Sequence, residues 1–273
     1  MCLILFAFRQ HARYPLVLAA NRDEYHARPS APAAVWEDAP QVLGGRDLGA
    51  GGTWLGVTRQ GRFAAVTNYR EPVQTPGPSR GRLVSDYLTG SDEPSEYLEG
   101  IAVQTTRYPG FNLLAGDEEE LYYHSNRASV PRALGPGVYG LSNHLLDTPW
   151  PKVSSGRTAM ERALDAPGEE ALVARLLHLL ADDTQATDPQ LPDTGIGRER
   201  ERFLSPRFIR GNEYGTRCST VLLLDASGGL LLHERRFDAD GRVAGESRFR
   251  LGRRQQATPG SVRGMVSAPW NGV

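Results

Sequence analysis

With 273 residues, 40% of them hydrophobic and 23% charged, the chain has enough apolar material to bury a sizeable core, which excludes a disordered protein. Acids and bases are interspersed and the formal net charge is -1, so no global field favours nucleic acid or an anionic membrane. Two cysteines, Cys2 and Cys218, are too few for a disulfide scaffold and point to a reducing, cytoplasmic compartment. Lys152 is the single lysine, which removes most lysine chemistry from consideration.

The opening run MCLILFAF is too short to span a bilayer and has no basic region before it, so neither a signal peptide nor membrane insertion is expected. Residues 2–9 and 16–20 read as a buried hairpin covered on both faces. After the polar run 21–24, the prolines and small residues up to Pro40 read as a surface loop, and the glycines of GGRDLGAGGTW as turns. Residues 53–58 and 62–68 form a second strand pair around Gln60 and Gly61. Helices are expected at 79–88 behind a Ser79 cap, and at 95–108, 154–164 and 169–180. Between and after them, strands are expected at 111–115, 120–124, 138–142, 219–225, 230–237 and 246–251.

The charged stretch 182–202 reads as an exposed loop. Strands at both ends of the chain enclosing two helix pairs imply an α+β fold: a four-layer α/β/β/α sandwich of two antiparallel sheets. One domain is expected over residues 1–254, followed by a poorly ordered tail at 255–273.

Phosphate-loop and dinucleotide fingerprints are absent, and Ser142 lacks the glycine that a nucleophile elbow needs after it. The six histidines show no metal-ligand spacing, so no metal and no cofactor are expected.

Cys2 is different. A cysteine directly after the initiator methionine becomes, once Met1 is removed, a residue carrying both a thiol and a free α-amine. The amine has an ordinary pKa of roughly 7.7 to 8.0 and the thiol of about 8.5, so one can serve as base for the other. The bland alternative is a small apolar residue starting a buried strand. Asn21-Arg22-Asp23-Glu24, at a strand end, would supply a guanidinium that lowers a thiol pKa and a carboxylate that holds an ammonium; as a solvated turn it would do neither.

MCLILFAF, ANRDEY, GGTWLGV, VTNYRE, LSNH and YGTRCSTVLLLD together resemble the NRDE family, also called the transport and Golgi organisation 2 family, from Cys2 to about Phe237. That family is similar to the cysteine branch of the N-terminal-nucleophile hydrolases, such as choloylglycine hydrolase and penicillin V acylase. The resemblance implies Arg22 and Asp23 near Cys2, with Glu24 the alternate carboxylate, and an oxyanion site from Asn143 and the Asn68-Tyr69 backbone. Arg217 either holds a substrate anion or forms a structural ion pair. Trp36, Trp54, Tyr69 and Trp150 are pocket-lining or core residues.

The leading expectation is an N-terminal cysteine amidohydrolase or acyltransferase acting on a small-molecule amide, thioester or acylated ligand. The family's association with haem mobilisation and lipid homeostasis implies the alternative of a non-enzymatic haem or acyl-ligand carrier, with His124 or His144 as a transient axial ligand. Nucleic acid is not an expected partner.

Overall fold

The computed structural model describes residues 2–73, 76–104, 107–128 and 130–252. The strands of its first half are Cys2–Phe8 (β1), Leu16–Tyr25 (β2), Ser30–Val35 (β3), Val42–Asp47 (β4), Leu55–Thr58 (β5) and Phe63–Asn68 (β6), followed by helices Gly81–Thr89 (α1) and Pro94–Ala102 (α2). Strands Phe111–Gly116 (β7), Leu121–Ser125 (β8), Arg132–Ala133 (β9) and Gly137–Leu141 (β10) come next, then helices Pro151–Leu164 (α3), Glu169–Leu180 (α4) and Arg198–Phe203 (α5). Tyr214–Leu224 (β11), Leu230–Phe237 (β12) and Val243–Leu251 (β13) close the described chain.

Two antiparallel sheets result, one in the order β10-β1-β2-β11-β12-β13 and the other in the order β3-β4-β5-β6-β7-β8-β9. Strand alternation assigns the side chains. Ile4, Phe6 and Phe8 of β1 enter the core between the sheets, whereas Leu3, Leu5 and Ala7 face α3 and α4. Because both faces of β1 are covered, its sequence is apolar throughout rather than alternating. The second sheet carries α1 and α2 on its outer face, where Leu83, Val84, Tyr87 and Leu88 pack on Val66 and Leu113. The four-layer α/β/β/α sandwich expected from the sequence is the observed fold.

Four local expectations are corrected. The proline-bearing segment after Tyr25 is not a surface loop but supplies β3 and β4. Pro32 is tolerated because β3 is the edge of its sheet, where a missing N–H breaks no ladder. Gly44 and Gly45 lie in β4 rather than in turns, since a Cβ on Gly44 would meet the Leu55 carbonyl oxygen at 2.8 Å. The RERERF run forms α5, held by burial of Glu201, so the stretch 182–202 is not wholly an exposed loop. Ser79 makes no side-chain cap; its carbonyl accepts the Arg82 N–H. The expected tail, 255–273, lies outside the described residues.

Candidate functional site

In the β1–β2 ladder Cys2 pairs with Arg22, and on the other side of β2 Arg22 pairs with Cys218 of β11. These three residues share the parity of Ile4, Ala20 and Leu222, so they face the gap between the sheets. Asn21 and Asp23 point the other way, toward the helices. The Asn21 amide donates to the Leu180 and Arg207 carbonyls, and Asp23 Oδ1 accepts from Thr216 Oγ1 at 2.7 Å. Thr216 reaches Asp23 because β11 changes register between Thr216 and Cys218, a bulge centred on Arg217.

Cys2 lines a cavity of about 480 Å³ built from both sheets: Arg22 and Asp23 on one side, Trp54, Val66 and Asn68 on the other, Ser79 and Arg80 at the rim. A second lobe, also about 480 Å³, shares Glu24, Arg28, Asn68 and Arg80 with the first. It continues past Asn143 to Tyr69, Phe203 and Tyr214. Asn68 therefore stands where the lobes join. The Arg22 guanidinium lies 4.4 Å from the Trp54 ring centroid, and its Nη1 is buried without a hydrogen-bond partner.

The electrostatics are set mainly by burial. Loss of water pushes the Cys2 thiol up, reinforced by the Asp23 carboxylate and opposed by Arg22. Burial also pushes the Asp23 carboxyl up, and Lys152 and the Thr216 hydroxyl pull it back. Lys152, at the first turn of α3 and 4% exposed, is pushed down to about 8 by burial. Nothing in the sequence marks it as a site residue beyond its being the single lysine. It stands just after Trp150-Pro151 at a helix start, an end of the helix that disfavours a cation.

Asn143 is fully buried and locked in place: its Nδ2 donates to the Asn68 carbonyl at 2.9 Å, and its own carbonyl accepts the Arg70 N–H at 2.7 Å. Ser142 Oγ links this turn to β1 by donating to the Cys2 carbonyl at 3.2 Å. The Tyr69 N–H is spent on the Gly110 carbonyl at 2.9 Å. That bond fixes the alternation of the β6–β7 ladder, in which Asn68 pairs with Phe111, so the Asn68 N–H turns away from β7.

The expected site residues Cys2, Arg22, Asp23, Glu24, Asn68, Tyr69 and Asn143 all line the two lobes. Arg217 is not brought into either. Its Nη1 donates to the carbonyls of Tyr25, His26 and Arg28, bracing the chain where it leaves β2. Neither does His124 line a lobe, being fully buried on the helix side of its sheet against Phe111. His144 is half-buried, in tilted ring contact with Tyr69 and Trp150, with Nδ1 bonded to Thr148 Oγ1. Trp36 and Trp150 are buried, and among the described residues Trp54 is the one tryptophan that lines the Cys2 lobe. Among the described residues no group of three or more His, Cys, Asp or Glu could hold a metal ion, and no helix is long and apolar enough to cross a membrane.

Residues 1–239 match the sequence pattern of the family described as Transport and Golgi organisation 2. The chain belongs to this family. The transport and Golgi organization protein 2 homolog of Bos taurus is 40% identical over 260 residues, spanning 86% of this chain and 92% of that protein. The Homo sapiens homolog is 37% identical over the same length and shares. The Drosophila melanogaster protein is 32% identical over 256 residues, 83% of this chain and 88% of its own. Among solved structures, a Caenorhabditis elegans N-acylethanolamine-hydrolyzing acid amidase ortholog superposes with a TM-score of 0.45 at 13% identity, covering 81% of this chain and 92% of that one. The C2A mutant of a conjugated bile acid hydrolase from Clostridium perfringens gives 0.48 at 9% identity, covering 91% and 92%.

Proposed function

We propose that this member of the transport and Golgi organisation 2 family cleaves amides or thioesters, or transfers their acyl group, through an acyl-enzyme on Cys2. The single observation that carries the reading is the placement of Cys2, partly exposed on the cavity wall directly across the ladder from the buried Arg22. A thiol pushed up by burial needs a base. Removal of Met1 supplies one, the α-amine of Cys2 itself, with the Asp23 carboxylate to hold its ammonium form. The thiol proton passes to this amine as sulfur bonds to the substrate carbonyl carbon. The ammonium returns the proton to the departing nitrogen or sulfur as that bond breaks. Water or another acceptor then attacks the acyl-cysteine by the reverse proton path, releasing the acid or transferred product and the free thiol. The Asn68 N–H and the Asn143 amide are the candidate donors to the oxyanion, each such donor typically contributing about 3 kcal/mol to the transition state.

Mass spectrometry of the intact protein after exposure to a panel of acyl thioesters and amides tests this. The expected result is a chain lacking Met1 with one acyl adduct that Cys2→Ala abolishes. A native protein that retains Met1, or adducts and turnover that survive Cys2→Ala, overturns the proposal. Saturable ligand binding with no adduct at any pH would instead favour a carrier working through the same cleft.

A further inference from the structure

Four charged side chains lie behind Cys2, on the helix side of the first sheet, close enough to act on one another through their charge: Asp23 from β2, Lys152 from α3, Glu201 from α5 and Arg70 from the turn after β6. Each is at least nine-tenths buried. Arg70 and Glu201 neutralise one another by direct contact, and Glu201 also accepts from the Thr194 N–H and hydroxyl. The charge left in the group is one cation, Lys152, and one anion, Asp23. The segment 204–209 bridges them: the Leu204 carbonyl accepts from Lys152 Nζ at 2.8 Å, and the Ile209 N–H donates at 2.9 Å to the Thr216 hydroxyl that itself bonds Asp23.

A lysine in this place is doubly disfavoured, by loss of water and by the positive end of α3. The groups that act on it are Asp23 and Cys2 from the sheet, Arg70 from the turn and Glu201 from α5, with Asp23 the largest of the favourable influences. Its chemistry does not suit a substrate anchor, because it lines neither lobe.

We infer that Lys152 is a positioning residue: it keeps Asp23 ionised, so that Asp23 can orient the α-amine of Cys2 without taking its proton. The inference rests on the proposed reaction for its purpose. When the α-ammonium gives up its proton, Asp23 loses one countercharge, and a buried carboxylate left alone would protonate. Lys152 remains as the fixed countercharge at that moment.

The single lysine makes the test direct. Full-length protein grown on 13Cε-lysine gives one lysine Cε signal by NMR, whose pH titration reports Lys152 alone. In Asp23→Asn its midpoint is expected to fall by about one pH unit or more, a tenfold change in the protonation constant. Asp23→Glu, which restores the charge, is expected to recover most of that shift. An unchanged midpoint in Asp23→Asn, or equal shifts in both variants, overturns the inference. Should Asp23→Asn fail to fold, Lys152→Met with carboxyl-labelled aspartate serves instead: the Asp23 midpoint must rise, and constancy overturns the inference. Neither titration needs a substrate, so loss of the acylation reaction and loss of this inference are separate outcomes. Where acylation is observed, Lys152→Met is expected to move the acid limb of its rate profile to higher pH with KM little changed.

Discussion

Glu234 shows how much buried charge the first sheet tolerates beside Cys218 and Arg22. It is 2% exposed, its Oε1 accepts the Ala33 N–H at 2.8 Å, and burial pushes its carboxyl up, with Arg236 and Arg22 opposing. A raised folded pKa means that stability is fully present below the unfolded value, about 4.3, and is lost as pH rises through the folded one. Glu234→Gln keeps the acceptor without the charge. It is therefore expected to match the wild type near pH 4.5 and to become the more stable protein by pH 8, as read from urea melts at the two pH values. Asp23 has the same sign of shift but a different situation, since Thr216 and Lys152 both favour its ionised form. Nothing in the sequence marks that difference: the partners of Asp23 come from 129 and 193 positions away, and only the folded sheet selects it over Glu24 as the buried carboxylate.

At the scale of elements, β4 controls the site without contributing a reactive group. A Cβ on Gly45 would lie 2.3 Å from the Trp54 ring, which is the shelf for the Arg22 guanidinium. Gly45→Ala is expected to cost about 1–3 kcal/mol through displacement of that ring, and to slow iodoacetamide labelling of Cys2 as Arg22 shifts. The helix α5 is fastened by the buried Arg70–Glu201 pair, with the Arg70 guanidinium 4.6 Å from the Trp150 ring. Arg70→Met should destabilise the protein by roughly 3–5 kcal/mol by leaving Glu201 buried and unbalanced, and Arg70→Met with Glu201→Met should recover most of it in urea melts.

These elements also show what a sequence discloses. β1, the first half of β2 and α4 are legible because burial on both faces, or on one helical stripe, leaves an apolar pattern: α4 is observed at the limits its leucines imply, whereas β2 runs on through the polar Asn21–Glu24 to Tyr25. β3 and β4 are not, because their stability comes from edge pairing and close backbone approach, for which prolines and glycines are compatible residues and poor signals. The candidate site is half legible. Cys2 and the run from Asn21 to Glu24 stand out by position, whereas Lys152, the Ser142 link and the bracing role of Arg217 depend on which distant strands become neighbours.

For the molecule as a whole, β2 is the shared wall: Leu18 packs between the sheets and Val17 under the helices, both fully buried. Leu18→Ala is expected to cost about 2–5 kcal/mol. If residues 1–254 are one domain, the loss should lower the midpoint of a single cooperative transition, with far- and near-ultraviolet circular dichroism coinciding; separate transitions would refute the single domain.

The ladder between β2 and β11 carries a consequence for synthesis. Asp23 and Thr216 are 193 positions apart, and β11 lies between β2 and β12 in the finished sheet. While the ribosome is still making the intervening helices, β1 and β2 have been released but lack the strand that closes over them. At roughly 5–20 residues per second, this leaves the amino terminus open for on the order of ten seconds or more. Within that interval a methionine-removing peptidase can act on the nascent chain, so the timing of translation, as much as the architecture, would decide whether Cys2 becomes the first residue.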